Sequence, residues 1–344
     1  MTFRAGIVGC GRIGSEFDDD PKRKVISTHA GAYSAVKEIE LVAACDVNKE
    51  KLEKCGLRWH IPSLYQDYQE MLAKEKLDIL SICTWNSTHL EIVRKAVNNN
   101  IKAIFCEKPI ADSLKNADEI VRLCRDKGVL LQVNHQRRFD DFHQNVRAFL
   151  GGGKLGKIQH VTFYYTSGIA NTGSHMFDLL RFLFGDIDWV RAFYSNNKSP
   201  NSIDPNIDGV MMFRSGSLCT IQACDVSEFL IFEMDCIGTK GRLNLTHSGF
   251  GLEYYEVRES ELFSGYKEIF PAVTPIEKDR PRNFMVNAVD HLVGCLKNGT
   301  ESICSGIDGK AALELICAFL ESARADGKKI SLPLGTSEVE IKSK

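Results

Sequence analysis

The stretch Phe3-Arg4-Ala5-Gly6-Ile7-Val8-Gly9-Cys10-Gly11-Arg12-Ile13-Gly14 determines how the N-terminal part of this chain folds. Its first half is mostly apolar and predicts a buried strand, and its second half has the spacing Gly-x-Gly-x-x-Gly. Glycines with this spacing allow a tight turn, close approach of a pyrophosphate and close packing of helix on strand. Because the N–H groups at the start of a helix bind phosphate, the stretch predicts a dinucleotide site. The predicted contacts are Gly9, Gly11, Arg12, Ile13 and Gly14.

Apolar runs and helical patterns continue to alternate after this stretch. Short apolar runs recur at 39–45, 77–83, 101–106 and 129–133, and apolar residues at helical spacing lie between them, as at Leu90, Val93 and Val97. Strands that are apolar throughout and alternate with helices indicate a parallel sheet covered on both faces. We therefore predict an α/β fold whose N-terminal domain, residues 1–133, is a doubly wound Rossmann domain.

The pattern changes after Gln136. Residues 158–164, 210–212 and 218–222 alternate apolar with polar side chains, and two amphipathic helices are expected at about 283–297 and 309–325. Alternation with a period of two is typical of an antiparallel sheet with one face packed and the other open to a ligand or a partner subunit. The sequence thus predicts a second α/β domain, residues 134–344, with a large, mostly antiparallel, open-faced sheet.

Composition excludes several classes of function. The 344 residues carry a net charge of −2, and the basic residues are scattered, so neither a nucleic-acid partner nor a membrane partner is expected. None of the twelve cysteines forms a CxxC pair, which favours free buried thiols over disulfides or a metal site. There is no signal-peptide layout and no run of 18 apolar residues. We expect a cytoplasmic protein without a metal.

Asp46 ends the second predicted strand. A carboxylate at this point accepts hydrogen bonds from the adenosine ribose and repels a 2′-phosphate, so NAD is favoured over NADP. Capping of the next helix is an alternative role that is compatible with this one. Asp46 lies 32 residues after Gly14, instead of about 20. The excess, residues 15–26, contains Asp18-Asp19-Asp20-Pro21, which should interrupt the phosphate-binding helix. It forms either a surface loop or a lid across the cofactor.

Three polar motifs stand where further strands should end, at 83–89, 106–109 and 132–135. In an open α/β sheet the ligand crevice lies at the carboxyl ends of the strands, so these motifs should converge there. The side chains predicted to contact the cofactor are Thr84, Asn86, His89, Glu107 and Lys108.

With the glycine fingerprint and the tripeptide Glu107-Lys108-Pro109, the chain resembles the Gfo/Idh/MocA family of NAD(P)-dependent oxidoreductases, relatives of glucose-fructose oxidoreductase and inositol dehydrogenase. The segments 238–241 (Gly-Thr-Lys-Gly) and 305–309 (Ser-Gly-Ile-Asp-Gly) extend the resemblance over nearly the whole chain. It implies that Lys108 hydrogen-bonds the reacting hydroxyl and eases its proton loss. Glu107 would orient the ammonium or hold the cofactor ribose. The structural alternative is a surface ion pair between Glu107 and Lys108.

The resemblance also implies a general base, His175, just before the apolar helical pattern of 176–183. An imidazole titrates near neutral pH, which suits removal of a hydroxyl proton. Asn171 stands where an acid is usual in the family, and an amide cannot stabilise an imidazolium as a carboxylate would. The base is therefore weaker, or the enzyme works mainly in the reducing direction. Asp178, one turn along, either orients His175 or is an ordinary helix position.

Function and assembly are also expectations from the resemblance. Hydride would pass between nicotinamide and a carbinol carbon of a sugar, cyclitol or nucleotide-sugar derivative, in a homodimer or homotetramer. Arg138 would recognise a carboxylate or phosphate, or else form an ion pair. Two alternatives are an NAD-retaining glycosidase and a non-catalytic dinucleotide-sensing regulator; a regulator would be expected to lose the lysine and the histidine, and both are present. The predicted substrate contacts are Lys108, Asn134, Arg138, Tyr165, Asn171 and His175.

Overall fold

The computed structural model describes residues 2–274, 276 and 283–342, which divide into two compact units. The first unit comprises the chain up to Asp140 together with a later segment that ends at Leu313. The second unit contains the described residues from Asp141 up to the start of that segment, and those from Glu314 onward.

The first unit contains a six-stranded parallel sheet in the order β3-β2-β1-β4-β5-β6. This confirms the predicted doubly wound Rossmann architecture. The order reverses between β1 and β4, and ligands of such sheets bind at the carboxyl ends of the strands near this point. The strands are β1 (Phe3–Val8), β2 (Ile39–Cys45), β3 (Ser63–Tyr65), β4 (Ile79–Ile82), β5 (Ala103–Cys106) and β6 (Leu130–Val133).

Helices connect these strands, and polar side chains cap several of their N-termini. Thr28, Asn48, Asp67 and Ser113 each accept a hydrogen bond from a backbone N–H of the first turn. Such caps satisfy groups that a helix start leaves without partners. The helices are α1 (His29–Ala35), α2 (Lys49–Trp59), α3 (Tyr68–Lys74), α4 (His89–Ala96) and α5 (Leu114–Asp126).

The chain returns to the first unit with α8 (Phe284–Asn298) and the start of α9 (Gly306–Arg324). Gln132 in β6 donates a side-chain hydrogen bond to the carbonyl of Ala288 (2.9 Å) and accepts one from Ser302 (2.9 Å). The N–H of Val133 donates to the carbonyl of Cys304 (2.9 Å). The predicted division at residue 133 did not anticipate this return, because these contacts join residues more than 150 positions apart.

The second unit contains a nine-stranded sheet in the order β14-β13-β12-β11-β7-β10-β9-β8-β15. All neighbouring pairs are antiparallel except β7 and β10, which confirms the predicted mostly antiparallel sheet. The strands are β7 (Ile158–Tyr165), β8 (Ile187–Tyr194), β9 (Ile207–Phe213), β10 (Leu218–Ala223), β11 (Phe232–Gly238), β12 (Gly241–Thr246), β13 (Gly251–Glu259), β14 (Lys267–Ala272) and β15 (Ile330–Ser331).

One face of this sheet is packed and the other is partly exposed. In β11 the side chains of Phe232, Met234 and Cys236 are buried, and the residues between them are half-buried. The helices α6 (Asp141–Gly151) and α7 (Gly173–Phe184) belong to this unit. Phe177 of α7 packs on Phe319 of α9, with 4.7 Å between ring centroids.

Two predictions from composition concern the described residues as a whole. All twelve cysteines are free thiols, and most are buried. Among the described helices, none has the length and apolar character needed to cross a bilayer.

Candidate active site

The glycine turn follows β1 at the carboxyl edge of the parallel sheet. Gly9 has a φ of +99°, and a Cβ there would lie 2.7 Å from the carbonyl of Cys83, so the turn requires glycine. A Cβ on Gly14 would collide with the carbonyl oxygen of Gly9. Among the described residues, a Cβ at Gly11 would meet only the ammonium of Lys51, at 3.8 Å. The turn is therefore tightly packed at its two ends and open at its centre, which fits a pyrophosphate lying against the backbone.

Asp46 holds this turn in place. One carboxylate oxygen accepts a hydrogen bond from the N–H of Cys10 (2.7 Å), and the other accepts one from the N–H of Asn48 (2.8 Å). The cap of α2 is Asn48, whose side chain accepts from the N–H of Lys51, so the alternative that Asp46 caps α2 is wrong. Each carboxylate oxygen has a second lone pair for a ribose hydroxyl.

The insertion, residues 15–26, packs against α2. The phosphate-binding helix is interrupted as predicted, since a 3-10 turn spans Glu16–Asp19 and α1 begins only at His29. The indole of Trp59 in α2 donates to the Ser15 hydroxyl (2.9 Å). The guanidinium of Arg12, a predicted cofactor contact, lies 5.0 Å from the ring centroid of Phe17.

Side chains after β4 brace the loop that follows β5. The buried ring of His89 contacts the carbonyls of Ile110 (3.1 Å) and Thr84 (3.2 Å), and Asn86 donates to the carbonyl of Ala111 (3.3 Å). Burial lowers the pKa of His89. Thr84 also accepts a hydrogen bond from the Thr88 hydroxyl (2.7 Å). Three predicted cofactor contacts, Thr84, Asn86 and His89, thus share in fixing the loops at the strand ends.

Glu107 lies at the centre of a buried hydrogen-bond network. Its Oε1 accepts from the ring of His29 (2.9 Å) and from the amide of Asn134 (2.6 Å). The other His29 nitrogen contacts the hydroxyl of Ser81 (2.8 Å), which also contacts the hydroxyl of Tyr33 (2.6 Å). All five side chains are buried. The network joins α1 to the ends of β5 and β6 and to β4.

The carboxylate of Glu107 points inward instead of forming the surface ion pair considered as an alternative. Burial alone raises its pKa, but the hydrogen bond and charge of His29, the hydrogen bond from Asn134 and the nearby Lys108 outweigh that effect. The pKa of Glu107 is therefore below its ordinary value. Its second oxygen accepts from the N–H of Lys108 (3.2 Å). The main chain of the half-buried Lys108 is thus held at the carboxyl end of β5, next to the cis bond to Pro109.

In the second unit, Asn171 and His175 lie on a turn that leads into α7. A π-helical turn spans Gly168–Thr172, and His175 is in the first turn of α7, half-buried. The buried carboxylate of Asp204 accepts from the N–H groups of Ala170 and Asn171, both at 2.8 Å. Asp204, which the sequence analysis missed, therefore fixes the main chain that presents Asn171.

Two predicted substrate contacts have structural partners instead. Tyr165 is fully buried, and its hydroxyl donates to the carbonyl of Ile207 (2.9 Å) and accepts from the same residue's N–H (2.8 Å). The structure thus places Tyr165 in the core. Arg138 is also buried, donates to the carbonyl of Ile303 (2.9 Å) and pairs with Asp308 (3.0 Å). The contact with Asp308 is the ion pair that the sequence analysis gave as the alternative role of Arg138. Asp178 is buried in α7.

Comparison with family models decides the classification. Residues 3–135 match the GFO_IDH_MocA model, described as oxidoreductase family, NAD-binding Rossmann fold. Residues 166–332 match the model of that family's C-terminal alpha/beta domain. The chain belongs to the Gfo/Idh/MocA oxidoreductase family. Its glycine turn and its Glu107-Lys108-Pro109 loop both lie within the Rossmann domain of this family.

Several relatives of this Gfo/Idh/MocA protein are named as dehydrogenases. D-apiose dehydrogenase of Paraburkholderia graminis is 27% identical, and the match covers 96% of this chain and 90% of that protein. Myo-inositol 2-dehydrogenase of Thermotoga maritima is 23% identical, and the match covers 91% of this chain and 94% of that protein. The WlbA dehydrogenase of Bordetella pertussis, solved with NADH and UDP-GlcNAcA, has a TM-score of 0.77 and 23% identity, covering 97% of this chain and all of that one.

Proposed function

We propose that this NAD-dependent dehydrogenase transfers hydride between nicotinamide and a CH–OH or keto carbon of a sugar, cyclitol or nucleotide-sugar derivative. The observation that carries the proposal is the placement of Lys108. It follows β5 at the carboxyl edge of the sheet where the glycine turn also lies. The substrate class rests on relatives that are named for apiose and inositol.

The residues of the first unit supply binding and polarisation. The open centre of the turn at Gly11 would hold the pyrophosphate, and Asp46 would accept hydrogen bonds from the adenosine ribose. Lys108 would donate a hydrogen bond to the substrate oxygen and stabilise the negative charge that develops there. When bound, the nicotinamide supplies or accepts the hydride. The buried carboxylate of Glu107 keeps the lysine's main chain in position.

Asn134 is a further candidate substrate or cofactor contact. Its amide nitrogen is bound to Glu107, while its buried Oδ1 has no hydrogen-bond partner within the described part of the chain. Buried polar atoms are normally satisfied. We assign this oxygen to a donor on a bound ligand, next to Lys108.

We assign proton exchange with the substrate hydroxyl to His175, with Asn171 one turn earlier as its neighbour. An imidazole accepts and returns a proton near neutral pH. An amide at position 171 supplies hydrogen bonds without negative charge. The imidazolium form of His175 therefore receives less stabilisation from Asn171 than from the acid usual in the family, which favours the direction in which His175 gives up its proton, the reduction of a ketone.

The experiment that tests this function is a turnover screen of the purified protein. NAD with inositols, apiose, aldoses and UDP-hexuronic acids should yield NADH, or the corresponding keto compounds should consume NADH, followed at 340 nm, with at least one substrate. Hydrolysis of a glycoside without any change at 340 nm would instead indicate the NAD-retaining glycosidase. Binding of NAD without turnover of any compound would indicate the dinucleotide-sensing regulator.

We also propose that the partly exposed face of the nine-stranded sheet packs on another copy of the chain. Every second side chain of β11 and β12 is half-buried, and a homodimer or homotetramer would cover the face that these side chains form. Light scattering after size exclusion measures the mass of the assembly.

The free thiols suit a reducing compartment, so we place the protein in the cytoplasm.

Replacement of Asp46 by serine should shift cofactor preference toward NADP. The variant removes the charge that repels a 2′-phosphate, and we expect the ratio of the NADP to NAD dissociation constants to fall about tenfold. Isothermal titration measures both constants. Asp67→Ser is the matched control, because it removes an acid after the neighbouring strand β3 and keeps a capping hydroxyl for α3. An equal shift in the control would contradict the role of Asp46.

A further inference from the structure

The insertion places acids against a basic face of α2. Lys51, Lys54 and Arg58 are spaced by three and four residues, so they lie on one side of that helix. Glu16 pairs with Lys51 at 3.8 Å, and Asp19 pairs with Lys54 at 2.7 Å and with Arg58. Each of these cations therefore has a counter-charge from the 3-10 turn of the insertion.

The acids of this turn are held in place from the other side. Asp18 accepts hydrogen bonds from the N–H of Ser27 (2.7 Å) and the hydroxyl of Thr28 (2.5 Å). Thr28 in turn caps α1 through the N–H of Gly31 (3.0 Å). The insertion is thus fixed both to α1 and to α2. Its charges belong to the folded Rossmann unit and are not carried on a loosely attached loop.

Lys51 lies next to the dinucleotide turn. Its ammonium is 3.8 Å from the position of a Cβ on Gly11, at the open centre of the turn. Its main chain is joined to Asp46 through Asn48, which accepts from the N–H of Lys51 (3.1 Å) and donates its own N–H to Asp46 (2.8 Å). The corner that would receive the adenosine ribose therefore carries the acid Asp46 and the cation Lys51, which is bound to Glu16.

We propose that Glu16 is a specificity-determining residue for the cofactor. By pairing with Lys51 it withholds the cation that a 2′-phosphate would otherwise engage, and it adds negative charge next to that cation. A 2′-phosphate adds close to two negative charges to the adenosine ribose, so both effects act more strongly against NADP than against NAD. This inference rests on the proposed dinucleotide function and extends it: the insertion contributes to the choice between NAD and NADP.

The test compares binding of 2′,5′-ADP and 5′-AMP, which differ only in the 2′-phosphate and represent the adenosine ends of NADP and NAD. In Glu16→Gln, the dissociation constant of 2′,5′-ADP should fall about threefold to fivefold at low ionic strength, the range that an exposed charge pair allows. The constant for 5′-AMP should change less, because it lacks the 2′-phosphate. Adding Lys51→Met to Glu16→Gln should abolish the gain, because the freed ammonium is its source. Isothermal titration gives these constants without any turnover assay.

Glu53→Gln is the matched control. Glu53 pairs with Lys49 at 3.5 Å within α2 and does not involve the insertion, yet the substitution removes the same charge from the same part of the unit. It should leave both constants as they are in the unchanged protein. An equal gain in Glu53→Gln, or a gain that survives the loss of Lys51, overturns the role of Glu16. Failure of the unchanged protein to bind NAD would refute the proposed function itself, which is a distinct result.

Discussion

Replacement of Lys108 by alanine is expected to lower turnover at least about a hundredfold while NAD still binds, because the change removes a charged donor that acts on the developing oxyanion. The main chain at this position is held by Glu107 and by the ladder of β5, so the loop should keep its conformation. Steady-state kinetics measures kcat, and titration measures the NAD dissociation constant. A loss confined to KM would mean that the lysine only binds substrate.

Lys102→Ala is the control for this variant. Lys102 immediately precedes β5 at the opposite end of the strand and pairs with Asp78 at 2.8 Å. Its loss removes the same charge from the same strand and should leave kcat within about twofold, since exposed ion pairs contribute little. If Lys108→Ala turns over as fast as Lys102→Ala, Lys108 has no part in the reaction.

The second large effect concerns stability. Glu107→Ala removes the charged acceptor shared by His29 and Asn134, so a buried His29 nitrogen loses its partner and the Asn134 amide keeps a weak contact to the Met285 sulfur (3.4 Å). We expect the free energy of unfolding to fall by about 3 kcal/mol or more. Ser81→Ala is the comparison, because it removes the neutral hydroxyl shared by His29 and Tyr33 and keeps the carboxylate. It should cost about 2 kcal/mol, less than the loss of the charged acceptor. Urea unfolding measures both values, and equal midpoints would contradict the central place of Glu107.

Ionisation of Glu107 makes the free energy of unfolding depend on pH. The pKa of Glu107 is lower in the folded than in the unfolded chain, so ionised Glu107 favours the folded state at pH above the ordinary glutamate pKa. That contribution to the free energy of unfolding is lost as the pH falls below the ordinary glutamate pKa and then through the lowered pKa of Glu107 in the folded state. Glu107→Gln should flatten this part of the profile. Urea midpoints between pH 6 and the acid limit of folding, measured for both proteins, give the comparison; parallel profiles would assign the acid sensitivity to other groups.

The Rossmann unit was predictable because its signals are local. Apolar runs define β1, β2, β4, β5 and β6, and the steric demands at Gly9 and Gly14 are met by residues within the fingerprint or at a neighbouring strand end. The His29–Ser81 and His29–Glu107 contacts were not predictable in this way. They join residues 52 and 78 positions apart, and a single histidine or serine in an apolar pattern carries no sign of its partner.

In the second unit, the alternating pattern predicts strands but does not identify which face of the sheet is buried. Because strand side chains alternate, the sequence predicts that Tyr164 and Tyr165 face opposite sides of β7. The alternation does not indicate which of the two sides faces the core. The structure buries Tyr165 and leaves Tyr164 half-buried, so the tyrosine predicted to contact substrate is the one inside. Asp204 was missed for a related reason, since it reaches the turn at Asn171 from a segment 33 residues later.

The most direct test of the account is a crystal structure of the protein grown with NADH. We predict a dinucleotide that lies along the glycine turn, with its pyrophosphate against Gly11, its adenosine ribose on Asp46 and its nicotinamide ring beside the ammonium of Lys108. Coenzyme bound elsewhere, or bound at the turn with Lys108 directed into solvent away from the nicotinamide, would contradict the central claim.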